Sequence, residues 1–361
     1  MASTSTLPQS AYNPRRHVGV HAERVSAVSS TEYPGHYPDE DHSWDLQKFS
    51  ENLQVKVQRL SQRSIEFDLV GVDASIANAF RRIMIAEVPT IAIEHVYVWN
   101  NTSVIHDEVL AHRLGLVPLN ADPALFDFRT PTGANAVPND RNTLVFRLQV
   151  ACERAPKGRG KEYLHDEVTS GDLVWVPQGE QAAVLGAAAA PAPTNKDIVL
   201  AKLRPGQEID MELHAVKGVG KEHAKWSPVA TASYRLHPLI VLNPARPVPA
   251  HRAAAFAACF SPGVVTLGAD GALAIDARAM RADPVSREVL RHDEFAGCVE
   301  LRRIRDWFLF AVEAEGPYPP ERLLPAAVAV MRRKLAAIRA AAQALLADAD
   351  AADADVEMGG A

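Results

Sequence analysis

Residues Val72–Pro118 read VDASIANAFRRIMIAEVPTIAIEHVYVWNNTSVIHDEVLAHRLGLVP, and the reading of this stretch decides the fold. Asp73 stands where a helix N-cap is needed, because a short carboxylate can accept the first free N–H groups. Pro89 ends that helix, since the residue before a proline is pushed out of the α region. Between them Ile76, Phe80, Ile83 and Glu87 form one stripe, while Ala77, Met84 and Ile85 place apolar surface on other faces. Only the Arg81–Arg82 edge is polar. A helix with so little polar face belongs within a core or between two chains. Ile91–Trp99 follows as a strand, rich in β-branched and aromatic residues and free of Pro and Gly. Asn100–Asn101 reads as a turn, and Ser103–Leu114 as a short second helix stopped by Gly115.

Upstream, Leu53, Val55 and Val57 alternate, as do Ile65, Phe67 and Leu69, which predicts a β-hairpin with one buried face. Downstream of about Asn120 the pattern becomes β-rich. Strands are expected at Thr143–Val150, Ile198–Leu203, Glu208–Val216 and Ser227–Leu236, with a turn at Pro205–Gly206. Arg154–Lys161 reads as a basic loop and Gly186–Pro193 as a low-complexity connector. Short helices at His251–Phe260 and Pro284–Arg291 precede a long strand, Val299–Glu313. Pro319–Pro320 open a last helix reaching about Leu346, with Pro325 marking its true start or a slight kink. In it Leu324, Val328, Met331, Leu335, Ile338, Ala342 and Leu345 recur at alternating steps of four and three residues. That is a heptad seam. The stretch after it has acidic but no basic residues, the composition of a disordered tail.

The two apolar helices flank the β-rich stretch in sequence. The simplest account is an α+β fold with a discontinuous domain, a sheet with two packing helices, interrupted by a β-rich insert. The expected division is a flexible extension (1–44), a domain in two parts (45–119 and 237–346), the insert (120–236) and an acidic tail (347–361).

A chain of 361 residues can bury a sizeable core, and 47% hydrophobic against 23% charged residues is a globular composition. Its net charge of −6 weighs against direct duplex binding, which is driven by phosphate neutralisation. Cys152, Cys259 and Cys298 are widely spaced and odd in number, which fits a reducing compartment. No secretory signal or membrane span is expected.

Asn78, Arg81–Arg82, Ala92, Val96, Asn101, Ser103, Asp107–Glu108, Leu110–Ala111 and Arg113–Leu114 fall at the spacing of a known signature. It resembles that of the α-like subunits of multisubunit RNA polymerases. LAKLRPGQEI (Leu200–Ile209), KGVGKEHAKWSPVATASYRL (Lys217–Leu236), SPGV (Ser261–Val264) and SREVLR (Ser286–Arg291) are similar to the larger α-like subunit shared by RNA polymerases I and III. The resemblance runs from about Val18 to about Leu345. It implies a non-catalytic assembly subunit in the nucleus, including the nucleolus, that pairs with a smaller α-like subunit. The pair would form a platform for the two largest subunits. The heterodimer interface is then expected at Ile76, Phe80, Ile83, Met84, Val328, Met331, Leu335, Ile338 and Leu345. Arg81, Arg82, Asp107, Glu108 and Arg113 would contact a large subunit, and Asn78, Asn101, His223 and Lys225 belong to the family signature. For Arg81–Arg82 a solvated edge is the alternative, although the planar guanidinium suits interfacial carboxylates.

Other chemistry finds little support. His106, Asp107, Glu108 and His112 lack the H-E-x-x-H spacing of a zinc protease, and six positions set the two imidazoles about 120° apart on a helix. Gly218, Gly220 and Lys221 miss the P-loop pattern, and Glu222 stands where its hydroxyl should be. No local nucleophile signature stands out. Thiolate metal sites need about four soft ligands together, and the insert holds Cys152 alone, so no cofactor is expected. The third subunit of RNA polymerase II is the alternative assignment, and the lack of clustered cysteines argues against it. A stand-alone enzyme or DNA-binding protein is the alternative of another class.

Overall fold

A computed structural model of the chain describes residues 16–28, 43–130, 132–133, 135–155, 162–186, 190–268, 271–316 and 318–358. Most of the expected extension (1–44), most of the basic loop 154–161 and the middle of the connector 186–193 lie outside the described residues.

In chain order, β1 (His17–Val20) and β2 (Val25–Ser26) precede α1 (Leu46–Asn52). The expected hairpin follows as β3 (Gln54–Leu60) and β4 (Ser64–Val70). Next come α2 (Ala74–Ala86), β5 (Pro89–Asn101) and α3 (Asp107–Gly115). The β-rich stretch comprises β6 (Leu119–Asn120), β7 (Thr143–Ala151), β8 (Glu153–Arg154), β9 (Tyr163–Leu164), β10 (Glu167–Thr169) and β11 (Val174–Val176). It continues through α4 (Gln181–Leu185), β12 (Ala192–Pro193), β13 (Val199–Lys202), β14 (Glu208–Val219) and β15 (Val229–Leu242). Last come α5 (Ala253–Ala258), β16 (Val265–Leu267), β17 (Leu273–Ile275), β18 (Val299–Ala314) and α6 (Pro320–Met358). Sheets and helices are mixed, as an α+β class requires.

The chain folds into two compact units. One gathers Met1–Arg59, Glu66–Asn78 and Ser233–Ala311. Its core joins Val20, Leu239, Ile240, Phe256, Val264, Met280, Phe295, Leu301 and Ile304. Phe67 stacks on Phe310, with ring centroids 4.9 Å apart. Buried Asp68 takes both its oxygens to Arg281, at 2.8 and 2.9 Å, which compensates a carboxylate withdrawn from water. The main sheet runs β2-β1-β18-β4-β3, with β15 also paired to β18.

The other unit gathers Leu60–Ile65, Ala79–Ala232 and Val312–Ala361. Its sheet runs β11-β7-β14-β5. Alternate residues of β14 (Ile209, Met211, Leu213 and Ala215) pack with Leu144, Phe146 and Leu148 of β7 and with Leu110 and Leu114 of α3. Period-two burial of this kind is what a half-covered sheet demands.

Several expectations need correction. The hairpin forms, but only β4 is buried: every residue of β3 is exposed, Val55 and Val57 included, because β3 is the outer strand of its sheet. Asn100 and Asn101 are not a turn; pairing with β14 continues to Asn101↔Ile209 and holds them extended. The helix expected at Ser103 starts at Asp107 and includes Gly115. Pro284–Arg291 yields only a 3-10 turn at Glu288–Arg291. There the Asp283 carboxylate accepts the N–H groups of Ser261 and Val285, and Val285 and Arg287 take left-handed φ values of 56° and 64°. Finally, α6 continues past Leu346 through Pro325 at one end and to Met358 at the other. The backbone is thus helical from 347 to 358, where a disordered tail was expected.

Candidate dimerisation surface

The start of α2 is fixed by Asp73, whose Oδ1 accepts the Ser75 N–H at 2.8 Å. Hydrogen bonds from Ser75 hold this carboxyl below its ordinary range. Of the four α2 residues expected at an interface, Met84 (0% exposed) and Ile83 (4%) are already buried, and Ile76 and Phe80 are half-buried. Arg82 is exposed and Arg81 half-buried. Asn78 is half-buried too.

The C-terminal end of α2 explains the glycines of the KGVGK segment. Lys221 donates its N–H to the Ala86 carbonyl at 2.8 Å, satisfying an acceptor that a helix end leaves open. A Cβ on Gly220 would run into the Ile85 carbonyl, and one on Gly218 would strike the Trp226 indole. These glycines permit close backbone approach rather than cradling phosphate.

The signature residues serve the same local structure. Lys225 donates to the Ile93 carbonyl at 2.8 Å, pairs with Glu94 and sits 4.5 Å over the Trp226 ring. His223 accepts the Lys225 N–H at 3.1 Å through Nδ1. Trp226 donates to the Val216 carbonyl, and Thr90 donates to the Trp226 carbonyl at 2.7 Å. Asn101 donates to the Ile105 carbonyl and to Asp107, and accepts from the Ser103 N–H and hydroxyl. That knot shapes the loop that delays α3.

On α3, Asp107 and Glu108 are exposed in the first turn, where the helix dipole favours acids. Arg113 is turned inward for part of its length, donating to the carbonyls of Leu200 and Val199 at 3.1 and 2.6 Å. His106 is the N-cap without a side-chain bond, and His112 meets His223 edge-on at 6.4 Å. Among the described residues no group of His, Cys, Asp and Glu could hold a metal ion.

The decisive feature is α6. Leu323, Ala327 and Val330 are buried within the chain, at steps of four and three that place them on one stripe. The sequence contains that stripe, but the neighbouring seam hides it. The seam itself is mostly bare: Leu324 and Met331 are half-buried, while Leu335 (55% exposed), Ile338 (66%) and Leu345 (69%) stand in the open. Lys334 pairs with both oxygens of Glu87 at 2.9 Å and so ties α6 to the residue just after α2. The Tyr318 hydroxyl adds a bond to the Pro89 carbonyl at 3.1 Å, and burial pushes its pKa up to about 12. Leu335, Ile338 and Leu345 thus form an apolar stripe open to solvent, the kind of patch by which proteins commonly meet partners.

Residues 66–335 match the family model of the RNA polymerase Rpb3/Rpb11 dimerisation domain. The chain belongs to this family. It is 46% identical over 328 residues to DNA-directed RNA polymerases I and III subunit RPAC1 of Saccharomyces cerevisiae, covering 88% of this chain and 96% of that protein. It is 45% identical over 317 residues to the mouse protein of the same name, covering 86% and 90%. DNA-directed RNA polymerase II subunit rpb3 of Dictyostelium discoideum is 33% identical over 316 residues, covering 82% and 97%.

Proposed function

We propose that the protein is the larger α-like assembly subunit shared by DNA-directed RNA polymerases I and III, acting in the nucleus and nucleolus. The polymerase I and III relatives are 45–46% identical where the polymerase II relative is 33%, which favours this assignment over the third subunit of polymerase II. The protein pairs with the smaller α-like subunit through α2 and α6, and the pair is the platform on which the two largest subunits assemble. Nucleotidyl transfer belongs to those subunits, and this chain is not catalytic by itself. In this reading residues 45–119 and 237–346 form the dimerisation domain and 120–236 the insert, with Arg81, Arg82, Asp107, Glu108 and Arg113 turned toward a large subunit.

The bare seam of α6 carries the proposal. Burying a Leu or Ile side chain fully is worth about 1.5–3 kcal/mol. Leu335, Ile338 and Leu345 together therefore offer several kcal/mol beyond what the chain gains alone, enough to offset part of the cost of association. The test is to tag the chain in its own cells and identify co-purifying proteins by mass spectrometry. Recovery of the largest subunits of polymerases I and III with a near-equal amount of the smaller α-like subunit is expected. Recovery of polymerase II alone would transfer the protein to that enzyme, and recovery of no polymerase subunit would overturn the reading.

A further inference from the structure

Three stripes follow one another around α6. The first is the buried row Leu323, Ala327 and Val330, with Lys334 on the same side held by Glu87. Roughly 80–90° further round, at about 100° per residue, lies the apolar seam. A similar step beyond that come Arg332 and Arg339, both exposed and neither engaged in an ion pair among the described residues. They directly follow the core positions Met331 and Ile338, one heptad apart, where flanking charges select the partner of a helix seam. A helix lying on this seam meets α2's side of the chain along one edge and two cations along the other.

We propose that the occupant of the seam is a helix of the smaller α-like subunit bearing acidic side chains one heptad apart, opposite Arg332 and Arg339. The same two arginines exclude a second copy of this chain. This deepens the heterodimer reading above and rests on it. The exclusion follows from the register. An antiparallel copy matched along the seam sets Leu324 against Leu345 and Met331 against Ile338, which brings Arg332 beside Arg339 of the other copy, twice. A parallel copy brings Lys334 beside Arg339 instead. Both self-pairings place like charges together at the rim of an apolar contact, where juxtaposed like charges suppress the wrong partner.

The test uses the full chain and the full-length smaller α-like subunit, with affinity measured from low to high salt and self-association followed by sedimentation. Wild type is expected to bind more weakly as salt rises and to stay monomeric alone. Arg332→Glu/Arg339→Glu is expected to weaken binding about tenfold or more at low salt and to lose the weakening by salt. Arg322→Glu, roughly 160° round the helix from the seam, is expected to bind as wild type and controls for folding. The single change Arg332→Glu sets an acid against Arg339 in the antiparallel copy and is expected to create a homodimer. A double variant with wild-type affinity and salt dependence would overturn the inference while leaving the heterodimer intact. So would a wild-type homodimer that Leu335→Asp dissolves. Failure of the wild-type chain to bind the smaller subunit at all would instead remove the proposed function beneath it.

Discussion

The helices α2 and α6 look alike in sequence and differ in the folded chain. Both are apolar on more than one face. In α2 that surface is largely spent within the chain, with Met84 and Ile83 buried and Ile76, Phe80 and Ile85 half-buried. In α6 one narrow stripe is spent and the rest is left over, so that Leu335, Ile338 and Leu345 face water. An apolar helix can thus be a core element or an interface element, and what separates the two is whether the chain supplies a second wall. Mutations should separate them in the same way.

The largest effect is expected from Leu335→Asp/Ile338→Asp. Two charges in the middle of the seam should lower affinity for the smaller α-like subunit at least a hundredfold, about 2.7 kcal/mol or more, with the melting temperature of the chain unchanged. Pull-down and thermal melts read the two halves of that statement. Met84→Ala should do the reverse, costing about 2–5 kcal/mol of stability through the cavity it leaves, measured by chemical denaturation of the chain. If both variants lowered stability and binding equally, the contrast between the helices would collapse.

Two smaller effects sharpen it. Lys334→Ala removes the tie to Glu87; with a half-exposed pair the loss should stay below about 1 kcal/mol, seen as a small shift in denaturation midpoint. The last concerns pH. Burial lowers the pKa of His237 from 6.5 in the folded chain. The unfolded chain therefore takes up a proton first as pH falls. Stability present above pH 6.5 should be lost as pH drops below it and level off under the folded pKa. Thermal melts between pH 7 and 5 check the slope, which His237→Asn should flatten.

The parts legible in sequence were those set by local periodicity. The bounds of α2 follow from Asp73 and Pro89, the strand β5 from its β-branched run, and the α6 seam from its heptad spacing. What was missed depended on neighbours distant in sequence. Asn100 and Asn101 have turn-forming side chains, yet β14 keeps them in the sheet. Val55 and Val57 alternate like buried residues, yet β3 has a neighbour on one side only. That Arg113 donates to the carbonyls of Val199 and Leu200 has no sign in its local sequence. Gly218 and Gly220 fail the P-loop pattern already in the sequence, but only the fold shows the indole and helix end that press against them.

The pairing of β5 with β14 also has a cost in time. Asn100 and Glu208, which meet at one end of that ladder, are 108 positions apart. At a synthesis rate of about 5–20 residues per second, β5 leaves the ribosome roughly 5–20 s before its partner exists. Through that interval Ile91, Ile93 and Val96 must wait without the strand that covers them, on an edge open to any other nascent chain. Long-range strand pairs of this kind fold slowly because the loop must close before the contacts form. Production of this subunit should therefore be sensitive to the supply of factors that shield nascent chains, well before any partner subunit is met.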